Sequence, residues 1–138
     1  MAPNVRQFKF AKDQVIVNIP TKIKPKLKAV RKKIGVVPME ATENFKPIRV
    51  VANIAFEKVG KPGKFVTNLG GNIKIKVKFR EKDKIKAGDK QLILAYWNKK
   101  KWVLIPIIKM VYYVNPSKGG YGIISINKWR DPPMAWGT

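Results

Sequence analysis

The most constraining feature of this chain is a run in which every second residue is a cation. Ile73, Ile75, Val77 and Phe79 alternate with Lys74, Lys76, Lys78 and Arg80. Successive side chains of a strand point to opposite faces, whereas a helix would spread these bases around its circumference. The run therefore reads as a strand with an apolar face and a row of four charges, spaced about 6.5–7 Å apart by the strand rise. An apolar face needs a second layer to cover it, so the run also implies a layered sheet structure.

The same alternation recurs. Val15, Val17 and Ile19 read as a strand within an extended segment over 1–20 that ends at Pro20. Ile48, Val50, Ala52, Ile54 and Phe56 form another. Strands follow at 64–67, 91–97, 102–105, 107–114 and 121–127, separated by turns such as Gly60-Lys61-Pro62-Gly63, Asn98-Lys99-Lys100-Lys101 and the segment 115–120. Seven to nine short strands with turn signals every 8–12 residues predict an all-β sandwich. One-sided patterning favours sheets with a wet outer face over a closed barrel. The length of 138 residues suits one domain over 1–138.

One segment reads differently. Leu27, Val30 and Ile34 fall on one face of a helix, with Pro25 near its first turn and Gly35 as its C-cap. The spacing predicts a short basic helix near the N-terminus, with Lys26, Lys28, Arg31, Lys32 and Lys33 pointing outward. It serves either as a solvated helix packed on a sheet or as a polyanion contact. The run Lys82, Lys84 and Lys86 reads as a loop closing at Ala87-Gly88-Asp89. Asn68-Leu69-Gly70-Gly71-Asn72 reads as a turn opening the alternating strand, not as a phosphate cradle, because no helix follows it.

Charge narrows the function classes. Thirty bases face eight acids, a net +22, and Lys outnumbers Arg 25 to 5. A surplus of this size attracts polyanions: nucleic acid, anionic polysaccharide or an acidic cell-wall polymer. An AT-rich genome or a thermophilic origin enriched in Lys is the compositional alternative, but acids are not enriched alongside the bases. Lysine is a flexible point charge without the planar fork of arginine, so the composition favours sequence-independent contact over base readout. The surplus is uneven: residues 1–35 carry +9, 36–72 +2, 73–101 +8 and 102–138 +3. The candidate polyanion-binding residues are Lys74, Lys76, Lys78, Arg80, Lys82, Lys84 and Lys86 in one block. Lys26, Lys28, Arg31, Lys32 and Lys33 form a second, and Lys99, Lys100 and Lys101 a third.

Material for catalysis is scarce. The chain has no Cys and no His, which removes the thiol nucleophile, the disulfide, the usual base near neutral pH and the commonest metal ligand. Glu81 and Asp83 stand among lysines without a partner base and read as local charge compensation. The expectation is a non-enzymatic protein without cofactor or metal site.

Aromatics offer two further candidates. Trp97 and Trp102 flank the basic turn, with Tyr112, Tyr113 and Tyr121 nearby in sequence. They serve either as core or as stacking platforms of a single-strand nucleic-acid binder. The tail over 128–138 holds Trp129, Pro132, Pro133 and Trp136, too apolar a patch to leave exposed. It docks either on its own domain or as a subunit contact on a neighbouring copy, which would build an oligomer or filament. The N-terminal segment with Phe8, Phe10, Val15 and Val17 is likewise a candidate for strand addition to another subunit. The opening residues show no secretion-signal pattern, and no stretch approaches the roughly 20 apolar residues of a membrane span. An extracellular or cell-surface location follows if a signal peptide was removed, a cytoplasmic one otherwise.

From residue 73 onward the order of elements resembles a known family. The alternating strand leads through a charged loop ending in Ala87-Gly88-Asp89 to a strand closing in Ala95-Tyr96-Trp97. A polar turn, then Trp102-Val103-Leu104-Ile105-Pro106, a glycine turn and a final strand complete it. This resembles the immunoglobulin-like β-sandwich domains of bacterial surface and extracellular proteins, over about half the chain. The resemblance implies a non-enzymatic structural or binding module of the surface or matrix type. Together with the charge it gives the expected function: a basic, self-assembling β-sandwich holding an anionic polymer on its Lys-rich faces. The alternative is a cytosolic protein that binds DNA or RNA without sequence preference.

Overall fold

The computed structural model describes residues 4–12, 14–114, 119–130 and 132–138. Residues 115–118 of the turn expected over 115–120, and the acids Asp13 and Asp131, lie outside the described residues.

In chain order the elements are β1 (Val5–Phe10), β2 (Val15–Pro20), β3 (Leu27–Arg31), β4 (Pro47–Lys58), β5 (Phe65–Val66), β6 (Asn68–Phe79), α1 (Glu81–Ala87), β7 (Ile93–Trp97), β8 (Trp102–Ile105), β9 (Lys109–Tyr112), β10 (Gly120–Lys128) and β11 (Pro133–Gly137). They form two antiparallel sheets. The first runs β1-β2-β6-β10-β9 and the second β3-β4-β11-β7-β8, with β5 paired to β4. Val17, Ile75 and Ile124 of the first sheet share one core with Ile54, Leu94, Met134 and Trp136 of the second. The fold is all-β and sandwich-like. A smaller apolar cluster of Phe45, Ala95, Trp102 and Ala135 lies on the opposite face of the second sheet, covered by Val37 and Phe45 from the segment after β3.

The described residues hold eleven strands where the patterning suggested seven to nine. Three segments account for the surplus. The extended N-terminal segment is a hairpin, Phe10 opposite Val15, in which Ala11 and Lys12 both take positive φ. Neither residue signals such a turn, because Gly, Asn and Asp usually supply it. β1 thus adds to this chain's own β2.

The basic segment is strand β3, not a helix. Leu27 and Ala29 are buried, and Lys28 lies opposite Glu57 of β4 with Nζ 3.2 Å from the carboxylate. As a helix the segment would have placed Lys28 and Lys32 one turn apart with no acid to separate them, a repulsive arrangement. So short a helix has little stability of its own.

The tail is strand β11, inserted between β4 and β7 at the centre of the second sheet. Trp129 and Pro132 are buried, Pro133 is half-buried and Trp136 is fully buried, all within this chain. Trp136 Nε1 donates to the Lys78 carbonyl of β6 at 2.9 Å and Trp129 Nε1 to the Ile54 carbonyl of β4 at 3.0 Å. The Trp136 ring meets Phe79 edge-on at 5.3 Å. Gly137 is required here, since a Cβ would strike the Lys46 carbonyl and the Phe45 ring.

Two local readings also change. The expected turn at 68–72 lies inside β6, with Gly70 at φ +75 and Leu69 buried. The expected loop at 81–87 is helix α1. Its first turn carries Glu81 and Asp83, its last Lys84 and Lys86, matching the helix dipole. The Asp83 carboxylate accepts the Arg80 N–H at 2.8 Å, and Gly88 ends the helix with φ +64.

Candidate polyanion-binding surface

The outer face of the first sheet is built by register. Ile73, Ile75 and Val77 of β6 are fully buried, which turns Lys74, Lys76 and Lys78 outward. Directly opposite residues of antiparallel strands share a face. Lys76 is opposite Ile16 of β2 and Ile123 of β10, Ile16 is opposite Lys9 of β1, and Ile123 is opposite Lys109 of β9. A row Lys9–Ile16–Lys76–Ile123–Lys109 therefore crosses all five strands. The adjacent row is Gln7–Asn18–Lys74–Ser125. Lys78, opposite Tyr121, belongs to the next.

The charge on this sheet is of one sign. Its five strands contain Arg6, Lys9, Lys74, Lys76, Lys78, Lys109 and Lys128 and not one Asp or Glu. Between the rows lies a groove of about 280 Å³, walled by Gln7, Asn18 and Ile16 on one side and by Ile123 and Tyr121 on the other. Lys74 and Lys76 stand in its floor. The Lys76 ammonium lies 3.9 Å from the centroid of the Tyr121 ring, and Gln7 Nε2 donates to Asn18 Oδ1 at 3.1 Å. A cation over an aromatic face is held there by the ring quadrupole.

The other candidate bases lie elsewhere. Arg80 is exposed at the start of α1, which packs against β4 and β11 of the second sheet. Lys82 and Lys86 are exposed, and Lys84 lies 5.2 Å from the Tyr112 ring centroid. Lys26, Arg31 and Lys33 are exposed at β3, Lys28 is paired with Glu57, and Lys32 lies over the Phe65 ring at 4.6 Å. Lys99, Lys100 and Lys101 are exposed at the β7–β8 turn, where the Asn98 side-chain oxygen accepts the N–H groups of Lys100 and Lys101. The fold brings Lys74, Lys76 and Lys78 onto one face. It leaves the β3 bases on the other sheet and the β7–β8 bases at a loop tip. Lys9, Lys109, Gln7 and Asn18 belong to the first face and were not legible as members, because only register places them there.

Trp102 is buried between Phe45, at 5.1 Å, and the half-buried Trp97, at 5.5 Å. Both Trp side chains thus belong to the small cluster on the second sheet.

Two carboxylates are held by partners. A hydrogen bond from the Gly63 N–H and the neighbouring Lys28 keep the Glu57 carboxyl below its ordinary value. Burial pushes Asp83 up, but the Arg49 guanidinium and the Arg80 N–H outweigh it and hold the carboxyl below its ordinary value. Arg49 Nε and Nη2 reach Asp83 at 3.0 and 2.7 Å. Among the described residues no three carboxylates gather as a metal site would need, and no helix is long and apolar enough to cross a membrane. Compared with protein-family models, curated proteins and solved structures, the chain matches none.

Proposed function

We propose that this chain is a non-enzymatic binding module of the immunoglobulin-like kind, working at a cell surface or in a matrix, that holds an anionic polymer on the outer face of its first sheet. The observation that carries the reading is the unopposed charge of that sheet: its five strands hold seven bases and no acid, and Lys9, Lys74, Lys76, Lys78 and Lys109 share its outer face by register, while Arg6 turns inward to the Leu27 carbonyl. Surface lysines on a soluble protein are commonly interspersed with acids, and a single-sign field is suited to attracting a partner of the other sign. The bases at β3, α1 and the β7–β8 turn add to the field without sharing the groove.

The test is a titration with heparin and with duplex DNA at about 50 and about 300 mM salt, on the parent chain and on Lys74→Gln/Lys76→Gln/Lys78→Gln. The triple variant is expected to keep its far-ultraviolet circular dichroism, because all three side chains point away from the core. Its affinity at low salt should fall tenfold or more. On duplex DNA, each phosphate contact removed should flatten the slope of log K against log salt by about 0.9. Absence of binding to both polymers at low salt in the parent chain would overturn the reading.

A further inference from the structure

Resting on that reading, we infer that the groove on the first sheet takes a single chain of an acidic polysaccharide, one whose sugars carry carboxylates. Three observations distinguish this polymer from a nucleic acid. First, single-strand nucleic-acid sites stack bases on free aromatic faces. Tyr121 lines the groove, but its ring already carries the Lys76 ammonium at 3.9 Å and has Tyr113 against it at 5.9 Å. The remaining apolar walls are Ile16 and Ile123, which have no π face. They suit the C–H faces of a saturated ring, which need only apolar contact.

Second, the row beside Lys74 is polar and neutral: Gln7, Asn18 and Ser125. An amide carries two donors and one acceptor oxygen, and the Gln7–Asn18 bond uses one donor of the first and one acceptor site of the second. The Gln7 oxygen and the Asn18 NH₂ are the ends that bond leaves over, one acceptor and one donor side by side. That pair matches a sugar hydroxyl, which donates and accepts at once. A phosphodiester backbone offers acceptors only and gains nothing from the Gln7 oxygen. Third, the volume of about 280 Å³ sits at the small end of ligand pockets, enough for ring-sized units of one chain and not for a duplex.

The experiment compares an oligogalacturonate with an oligothymidylate of equal charge, using the full chain at about 50 mM salt and neutral dextran as control. The oligouronate is expected to bind at least tenfold more tightly than the oligothymidylate. Gln7→Ala/Asn18→Ala should weaken oligouronate binding about tenfold or more and change oligothymidylate binding less than twofold. In the parent chain, the side-chain NH₂ resonances of Gln7 and Asn18 should shift with oligouronate and stay in place with oligothymidylate; this readout needs no variant to fold. Equal affinity for the two polymers, tighter binding of the oligothymidylate, or unmoved amide resonances would overturn the inference while leaving the polyanion reading intact. Binding of neither polymer would overturn both.

Discussion

Trp136→Ala is expected to cost this protein about 3–5 kcal/mol, the loss typical of a large buried aromatic. Against total stabilities of about 5–15 kcal/mol, that is a large share of what holds a domain folded. The side chain is fully buried on the central strand β11. It contacts the other sheet twice, through the edge-on ring of Phe79 and the hydrogen bond to the Lys78 carbonyl. Truncation removes the packing and strips that carbonyl of its indole donor. Trp136→Phe keeps a ring against Phe79 and loses the N–H, so its cost should be about 1–2 kcal/mol. Urea denaturation of both variants checks the order. A tail that docked on a neighbouring copy would give a different signature, a midpoint that rises with protein concentration. A Trp136→Ala midpoint unchanged from the parent, or a concentration-dependent parent midpoint, would contradict the placement of β11 in this chain's own sheet.

How far the sequence foretold this structure depends on whether a segment's signal is local. The stretch 73–79 of β6 was legible because its residues alternate without exception, and the alternation fixes both the core face and the Lys face. β3 was not, since Leu27, Val30 and Ile34 fit a helical stripe while Leu27 and Ala29 fit a strand equally well. Glu57, about thirty residues away, decides between them through its pairing with Lys28. For α1 a local signal did exist: acids in the first turn, lysines in the last and Gly88 just beyond. The lysines of β6 mask it, because they continue into the helix as one unbroken basic run. The tail was legible as apolar and ordered, but nothing in its composition says that the last strand enters the middle of the second sheet. The same limit applies to the candidate surface. Lys74, Lys76 and Lys78 announce themselves, whereas Lys9 and Lys109 become members only through the pairings of β1 with β2 and β10 with β9.

Asp83→Ala is the second substitution with a large expected effect, about 3–5 kcal/mol, because it leaves the partly buried Arg49 without its partner. Asp83 serves two elements at once. It accepts the bidentate guanidinium of β4 and, through the Arg80 N–H, closes the first turn of α1, which follows the last strand residue of β6. The pair thus ties the helix leaving the first sheet to the second. Replacing both members with apolar residues, Arg49→Met/Asp83→Leu, removes the charge and its need for a partner together. That double variant should recover most of the loss in Asp83→Ala. Acid gives an independent check. The folded protein holds the Asp83 carboxyl below the ordinary aspartate value, so below about pH 4 the unfolded chain takes up this proton first. The contribution is complete above that pH and disappears as the pH falls through the lower folded value. Glu57 acts in the same direction through the Gly63 N–H and Lys28. Urea denaturation at pH 7 and pH 3 should therefore show a larger acid loss in the parent than in Asp83→Asn, which has no proton to take up at that position. Equal losses in the two proteins would mean that the Arg49–Asp83 bridge does not hold the helix to the sheet.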